Sequence, residues 1–102
     1  MATDGVEHKF IYYVYILQSE KDGNYYIGYT NNLKLRIKQH NDGKTKSLKF
    51  RRPLILIGYE IYNTRQDAYL REREIKKYKG GNSFKLLIKK FIGSPPPEAG
   101  SR

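Results

Sequence analysis

Apolar and aromatic residues fall into three short continuous runs and three stretches of helical spacing. From Phe10 to Gln18 nearly every position is aromatic, β-branched or aliphatic, which predicts a strand with little polar face. Asp22-Gly23 is the dipeptide that favours a tight hairpin tip, and Tyr25 to Thr30 predicts the returning strand. Thr30, Asn31 and Asn32 are N-cap residue types, and Leu33 to Asn41 then places Leu33 and Ile37 on one face of a short helix. Asn41-Asp42-Gly43 ends that helix, and Lys44 to Arg52 reads as a basic loop closed by Pro53. Leu54 to Tyr62 is apolar at both parities, which predicts a strand buried on both faces and central in its sheet. Thr64-x-x-Asp67 is close to a capping box for a helix running to about Tyr78, where Gly80-Gly81 stops it. Asn82 or Ser83 opens a third helix reaching about Phe91.

The order β-β-α-β-α-α predicts an α/β (α+β) fold, a small three-stranded mixed sheet flanked by helices. Residues 10–92 form the one domain expected of 102 residues, between an N-terminal extension over 1–9 and a tail over 93–102. Three consecutive prolines predict that the tail is disordered. The hairpin carries a finer expectation. If its loop holds an even number of residues, opposed positions sum to an odd number, and Tyr26 shares a sheet face with Tyr13, Tyr15 and Leu17.

Composition narrows the chemistry. There is no cysteine, which excludes a disulfide scaffold, a thiolate metal site and a cysteine nucleophile. Two histidines argue against a structural zinc cluster. No run approaches the ~18 apolar residues of a membrane span, and the first nine residues are polar and mixed in charge, so the expected location is cytoplasmic with no membrane partner. The net charge of +10 exceeds what solubility needs and points to a polyanion.

That charge is concentrated. Between Leu33 and Arg52 stand Lys34, Arg36, Lys38, Lys44, Lys46, Lys49, Arg51 and Arg52 against one acid, Asp42. A second cluster comprises Lys76, Lys77, Lys79, Lys85, Lys89 and Lys90. Two clusters of one sign favour phosphate contacts, and the first is the expected nucleic-acid-binding surface. Phe50, inside the basic loop, fits equally a ring stacked on a splayed base and an anchor into the core.

Two short runs stand out: Tyr13-Val14-Tyr15, and Tyr26-Ile27-Gly28 eleven positions after Tyr15. Arg36 follows Tyr26 by ten, His40 follows Arg36 by four, and Glu72 lies in the second predicted helix. Together these resemble the GIY-YIG nuclease family. The stretches YVYILQS, YYIGYTNNLKLRIKQHN and AYLREREIKKY are most similar to its small stand-alone bacterial members, and the domain also resembles the N-terminal nuclease of the excision-repair incision subunit. The resemblance spans about Phe10 to Ile92. Tyr13 replaces the first glycine of the family motif, and Asn82 is a loosely spaced counterpart of an asparagine that some members carry after the glutamate.

The resemblance implies a GIY-YIG nuclease fold and a divalent-metal-dependent endonuclease that hydrolyses phosphodiester bonds, with DNA favoured over RNA but the choice left open, and with repair or recombination as the expected setting. So small a chain has little surface to read bases, and structure-selective cutting is therefore the expectation. The resemblance also implies a catalytic set of Tyr15, Tyr26, Arg36, His40 and Glu72, with Glu72 the metal ligand. Elementary chemistry is compatible with these roles. Arg36 and His40 are helix neighbours at i,i+4; one offers a fixed fork of donors for phosphate, the other a proton relay near neutral pH. On a helical wheel Glu72 lies about 40° from Ala68, beside the buried arc, whereas Glu74 lies roughly 120° away on the other side. One carboxylate with retained waters suits Mg²⁺, or Mn²⁺, better than Zn²⁺ or Ca²⁺. Free tyrosine, with a pKa near 10, is a poor base at pH 7, and the sequence leaves open which tyrosine takes the proton. The alternative reading is a nucleic-acid-binding module with a weak or inactive site; a basic adaptor for acidic protein or lipid headgroups is a third. Oligomeric state is left open.

Overall fold

The structure, a computed structural model, describes residues 11–93. The extension over 1–9 and nearly all of the tail over 93–102 lie outside the described residues. Strand β1 (Tyr12–Ser19) pairs antiparallel with β2 (Tyr25–Thr30). Helix α1 (Leu33–Asn41) follows, then a 3₁₀ helix (Lys46–Arg51) inside the basic loop, strand β3 (Leu54–Tyr62), and helices α2 (Arg65–Tyr78) and α3 (Asn82–Gly93). The element order is the expected one. Among the described residues no helix is long and apolar enough to cross a membrane.

Sheet order is β2-β1-β3, and both pairings are antiparallel. The sequence reading makes the sheet mixed and β3 central; the structure corrects both points. The hairpin reverses the chain once, and the excursion through α1 and the 3₁₀ helix returns it along the opposite edge of β1. β2 and β3 therefore run the same way without touching. β1 is the strand buried on both faces: Val14 and Ile16 join one core cluster, Tyr15 and Leu17 the other. In β3 the apolar run has another cause. A bulge between Ile16 and Leu17 shifts the register from Gly58 to Leu56, so Ile57 is the additional residue and packs with the first cluster. Ile55, Tyr59 and Ile61 remain exposed.

The two faces are covered by different elements. Ala68 and Ile75 of α2 and Phe84, Leu87 and Ile88 of α3 pack on Val14, Ile16 and Ile27. Leu33 and Ile37 of α1 and Leu48 of the 3₁₀ helix pack on Tyr15, Leu17 and Leu54. Helix starts follow the sequence signals: the Asn32 side chain accepts from the Leu35 N–H at 3.1 Å, and Thr64 Oγ1 accepts from the Asp67 N–H at 3.0 Å. Two polar clamps then fix the loops. Ser19 Oγ donates to the Arg51 carbonyl at 2.6 Å, and the Asn41 side chain both donates to the Leu54 carbonyl (3.0 Å) and accepts from its N–H (2.7 Å).

A further clamp joins α2 to β3. Arg71 donates to both oxygens of Glu60, at 2.8 and 3.0 Å, and to Glu74 at 2.9 Å. Tyr62 donates to Glu60 as well, and burial followed by that carboxylate pushes its phenol up to about 12. Bidentate pairs of this kind fix direction as well as contributing energy. Arg71→Ala is expected to lower stability by about 1–3 kcal/mol, because Glu60 loses its charged donors; urea unfolding beside Arg73→Ala, a neighbour outside the clamp, checks this.

Candidate active site

The hairpin register builds the site. Tyr15 lies opposite Gly28 and Leu17 opposite Tyr26, so opposed positions do sum to an odd number and the two motif tyrosines share a face. The pairing explains the glycine. A Cβ on residue 28 would stand 2.5 Å from the Tyr15 hydroxyl oxygen, and so the Tyr15 phenol occupies the space that Gly28 leaves. Gly28→Ala is therefore expected to displace the Tyr15 ring and to cut activity at least tenfold at wild-type DNA affinity; single-turnover cleavage beside a binding titration measures both.

Tyr15 is buried, and its hydroxyl meets His40 Nε2 at 3.0 Å. His40 is buried at the last turn of α1, and its Nδ1 lies 2.6 Å from Thr45 Oγ1. These three side chains form one hydrogen-bonded chain running from the sheet into the loop. Arg36, one turn before His40, stands beside the Tyr15 hydroxyl. Burial raises the Tyr15 pKa above its ordinary value, and the Arg36 guanidinium only partly offsets it. Burial, assisted by Arg36, holds His40 below the usual imidazole range. At neutral pH the pair is thus a protonated phenol against a neutral imidazole.

Across the β2 edge, α2 contributes Glu72, which borders the buried arc formed by Ala68 and Ile75. Its carboxylate pairs with the Lys76 ammonium at 3.2 Å and is largely covered. Glu74 is turned elsewhere, held by Arg71 and Tyr78. Tyr15, Arg36, His40 and Glu72 all line one cleft of about 930 Å³. Arg36, Arg65, Lys76 and Lys79 supply its positive charge, and Glu72 is the one acid among the described residues lining it. Tyr26 forms part of the wall, but its hydroxyl donates to Asp22 at 3.3 Å and Lys79 lies over its ring. It is not hydrogen-bonded to Tyr15 or His40.

Sequence reasoning misses two of these groups. Thr45 lies in the basic loop with no motif around it; the only signal is a hydroxyl five residues past His40, beyond a glycine turn. Asp22 is visible as a hairpin residue and not as the partner of Tyr26 and Arg51. The remaining basic residues singled out from sequence, Lys34, Lys38, Lys44, Lys46, Lys49, Arg51 and Arg52, are all exposed. Two of them are paired, Lys38 with Asp42 and Arg51 with Asp22.

Residues 11–90 match the model of the GIY-YIG catalytic domain, which is nearly the whole described chain. The chain belongs to the GIY-YIG family. Among its relatives are UPF0213 proteins of Staphylococcus haemolyticus, 40% identical over 77 residues (74% of this chain, 93% of the relative), and of Clostridium perfringens, 41% identical over 81 residues (78% and 86%). The solution structure of a UPF0213 protein from Bacillus halodurans is 32% identical, covers 83% of this chain and 88% of its own, and superimposes with a TM-score of 0.49. Membership of the GIY-YIG family implies an endonuclease-type hydrolase, a nucleic-acid substrate and dependence on a divalent metal. The donor set suits such an ion. Among the described residues no three His, Asp or Glu side chains gather as a protein cage, and one carboxylate facing an open cationic cleft matches a hard ion that keeps its waters and shares the substrate phosphate.

Proposed function

We propose that this chain is a Mg²⁺- or Mn²⁺-dependent endonuclease that hydrolyses phosphodiester bonds in DNA at structural discontinuities, in the setting of repair or recombination. The observation that carries this reading is the Tyr15–His40–Thr45 hydrogen-bonded chain facing Glu72 across a cationic cleft. Glu72 would hold the metal, whose chemistry is to neutralise charge on the scissile phosphate and on the leaving oxygen. Arg36 presents its fork to the non-bridging oxygens and stabilises the charge that grows there.

Proton transfer follows from the pair's electrostatics. A free tyrosinate is out of reach, because the raised Tyr15 pKa opposes it. The phenol oxygen instead accepts the proton of the attacking water while its own proton moves to the neutral His40 Nε2. His40 with its proton on Nδ1, donated to Thr45 Oγ1, leaves Nε2 free to accept. Tyr15 is then a relay and His40 the terminal acceptor. Tyr26 shapes the wall.

The test is a cleavage panel of single-stranded, duplex, flapped and four-way-junction DNA, with RNA counterparts, in Mg²⁺ or Mn²⁺. Metal-dependent cutting of branched DNA is the expected result. DNA binding by wild type with no cutting of any substrate would instead support a binding module with an inactive site.

A further inference from the structure

The 3₁₀ helix presents two different surfaces. Ser47 and Leu48 line the catalytic cleft, and Leu48 is buried beneath it. With three residues per turn, Phe50 is turned about 120° from the Leu48 anchor and stands one turn beyond Ser47 on the same row. Phe50 accordingly stands 70% exposed, the most exposed of the large apolar side chains among the described residues. The structure thereby excludes the core-anchor reading of this ring.

Its surroundings are cationic. Lys21, Lys49 and Arg52 join Phe50 around a recess of about 390 Å³ that no acid lines, and the Lys49 ammonium lies 5.7 Å from the ring centroid. The segment is braced: Ser19 holds the Arg51 carbonyl, Asp22 pairs with Arg51 at 3.2 Å, and Arg52 Nε donates to the Lys49 carbonyl at 2.7 Å. A braced, solvent-facing ring ringed by cations is the arrangement that holds unpaired nucleic acid, where phosphates meet the charges and a base meets the ring.

We propose that Phe50 is a stacking platform for an unpaired base at a single-strand–duplex junction of the DNA, which rests on the reading of the cleft as a DNA-cutting site and names the substrate feature it selects. Intact duplex keeps its base faces stacked and offers the ring nothing, whereas the flanking cations serve duplex and single strand alike. Discrimination between branched and linear DNA therefore falls to the ring. Three residues of 3₁₀ helix, about 6 Å of rise, separate Ser47 at the cleft from Phe50, so a strand in the cleft meets the ring within a few nucleotides.

Binding measured without divalent metal tests this apart from catalysis. The probes are a flapped DNA carrying 2-aminopurine at its first unpaired position, a fully paired duplex of the same length, and the RNA form of the flapped probe. Wild type should prefer the flapped DNA and quench the 2-aminopurine. Phe50→Ala should lose roughly tenfold in affinity for the flapped DNA, leave duplex affinity unchanged and abolish the quench; Phe50→Trp should keep both. An equal loss on both DNAs, an unaltered flap preference in Phe50→Ala, or a preference confined to the RNA probe would overturn the assignment. Because no turnover is read, a protein that cuts nothing can still pass this test, and one that cuts normally can fail it.

Discussion

Glu72→Gln is expected to reduce metal-dependent cleavage by about 10³-fold or more while leaving the fold and DNA binding in place. The magnitude follows from what the carboxylate would do. Removing one preorganised group that stabilises transition-state charge lowers rates by about 10²–10³, and Glu72 would also be the protein's sole anchor for the ion that screens the phosphate. Stability should scarcely change. Among the described residues the only partner of Glu72 is Lys76, an i,i+4 pair with a half-exposed ammonium, worth at most about 0.5 kcal/mol. Affinity for DNA should hold or rise slightly, because the variant removes the one negative charge that the described residues place in a cleft lined by Arg36, Arg65, Lys76 and Lys79. Glu74→Gln is the matched control. Glu74 sits two residues away and faces Arg71 and Tyr78, so its variant should cut within a few-fold of wild type. Single-turnover rates across a Mg²⁺ titration decide the matter, and cleavage by Glu72→Gln within tenfold of wild type would place the metal elsewhere.

The contrast between Glu72 and Glu74 is legible in the sequence, because a helix converts spacing into direction and Ala68 and Ile75 mark its buried side. The hairpin is legible for a similar reason. Strand parity alone puts Tyr15 and Tyr26 on one face, and the observed register agrees. Parity stops at the Cβ, however. That the Tyr26 hydroxyl reaches Asp22 and the Tyr15 hydroxyl reaches His40 depends on rotamers and on where the loop brings Asp22, and neither repeats along the chain. Sheet order fails for β3 because an unbroken apolar run has more than one cause; here a bulge and an exposed edge imitate two-sided burial. Thr45 is invisible because its role is defined by a contact from loop to helix, and no periodicity records that. Phe50 is visible as a residue, but its role turns on exposure, which its neighbours in the chain do not encode.

The hydrogen-bonded chain makes the second large prediction, in the pH dependence. His40 can accept a proton only when neutral, so cleavage should rise with pH through the His40 pKa. Burial and Arg36 depress that pKa, so the midpoint should lie below the ordinary imidazole value of about 6.5. Tyr15→Phe keeps the packing of the ring and removes the relay; a loss of about 10²–10⁴-fold is expected, in the range of general acid–base catalysis. His40→Gln should lower the rate comparably and flatten the ascending limb. Thr45→Val keeps the shape and removes the group that orients Nδ1, so it should lower the rate and move the limb without changing DNA affinity. Stability supplies an independent reading with its own sign. The folded pKa of His40 lies below the unfolded one, so as pH falls through about 6.5 the unfolded chain takes up a proton that the folded chain refuses. Wild type should therefore lose stability between pH 7.5 and about 5.5, above the range where carboxylates titrate, and His40→Gln should lose less over the same interval. An ascending limb in His40→Gln at the wild-type position, or a wild-type midpoint above 6.5, would refute His40 as the terminal acceptor even if Glu72→Gln proves inactive.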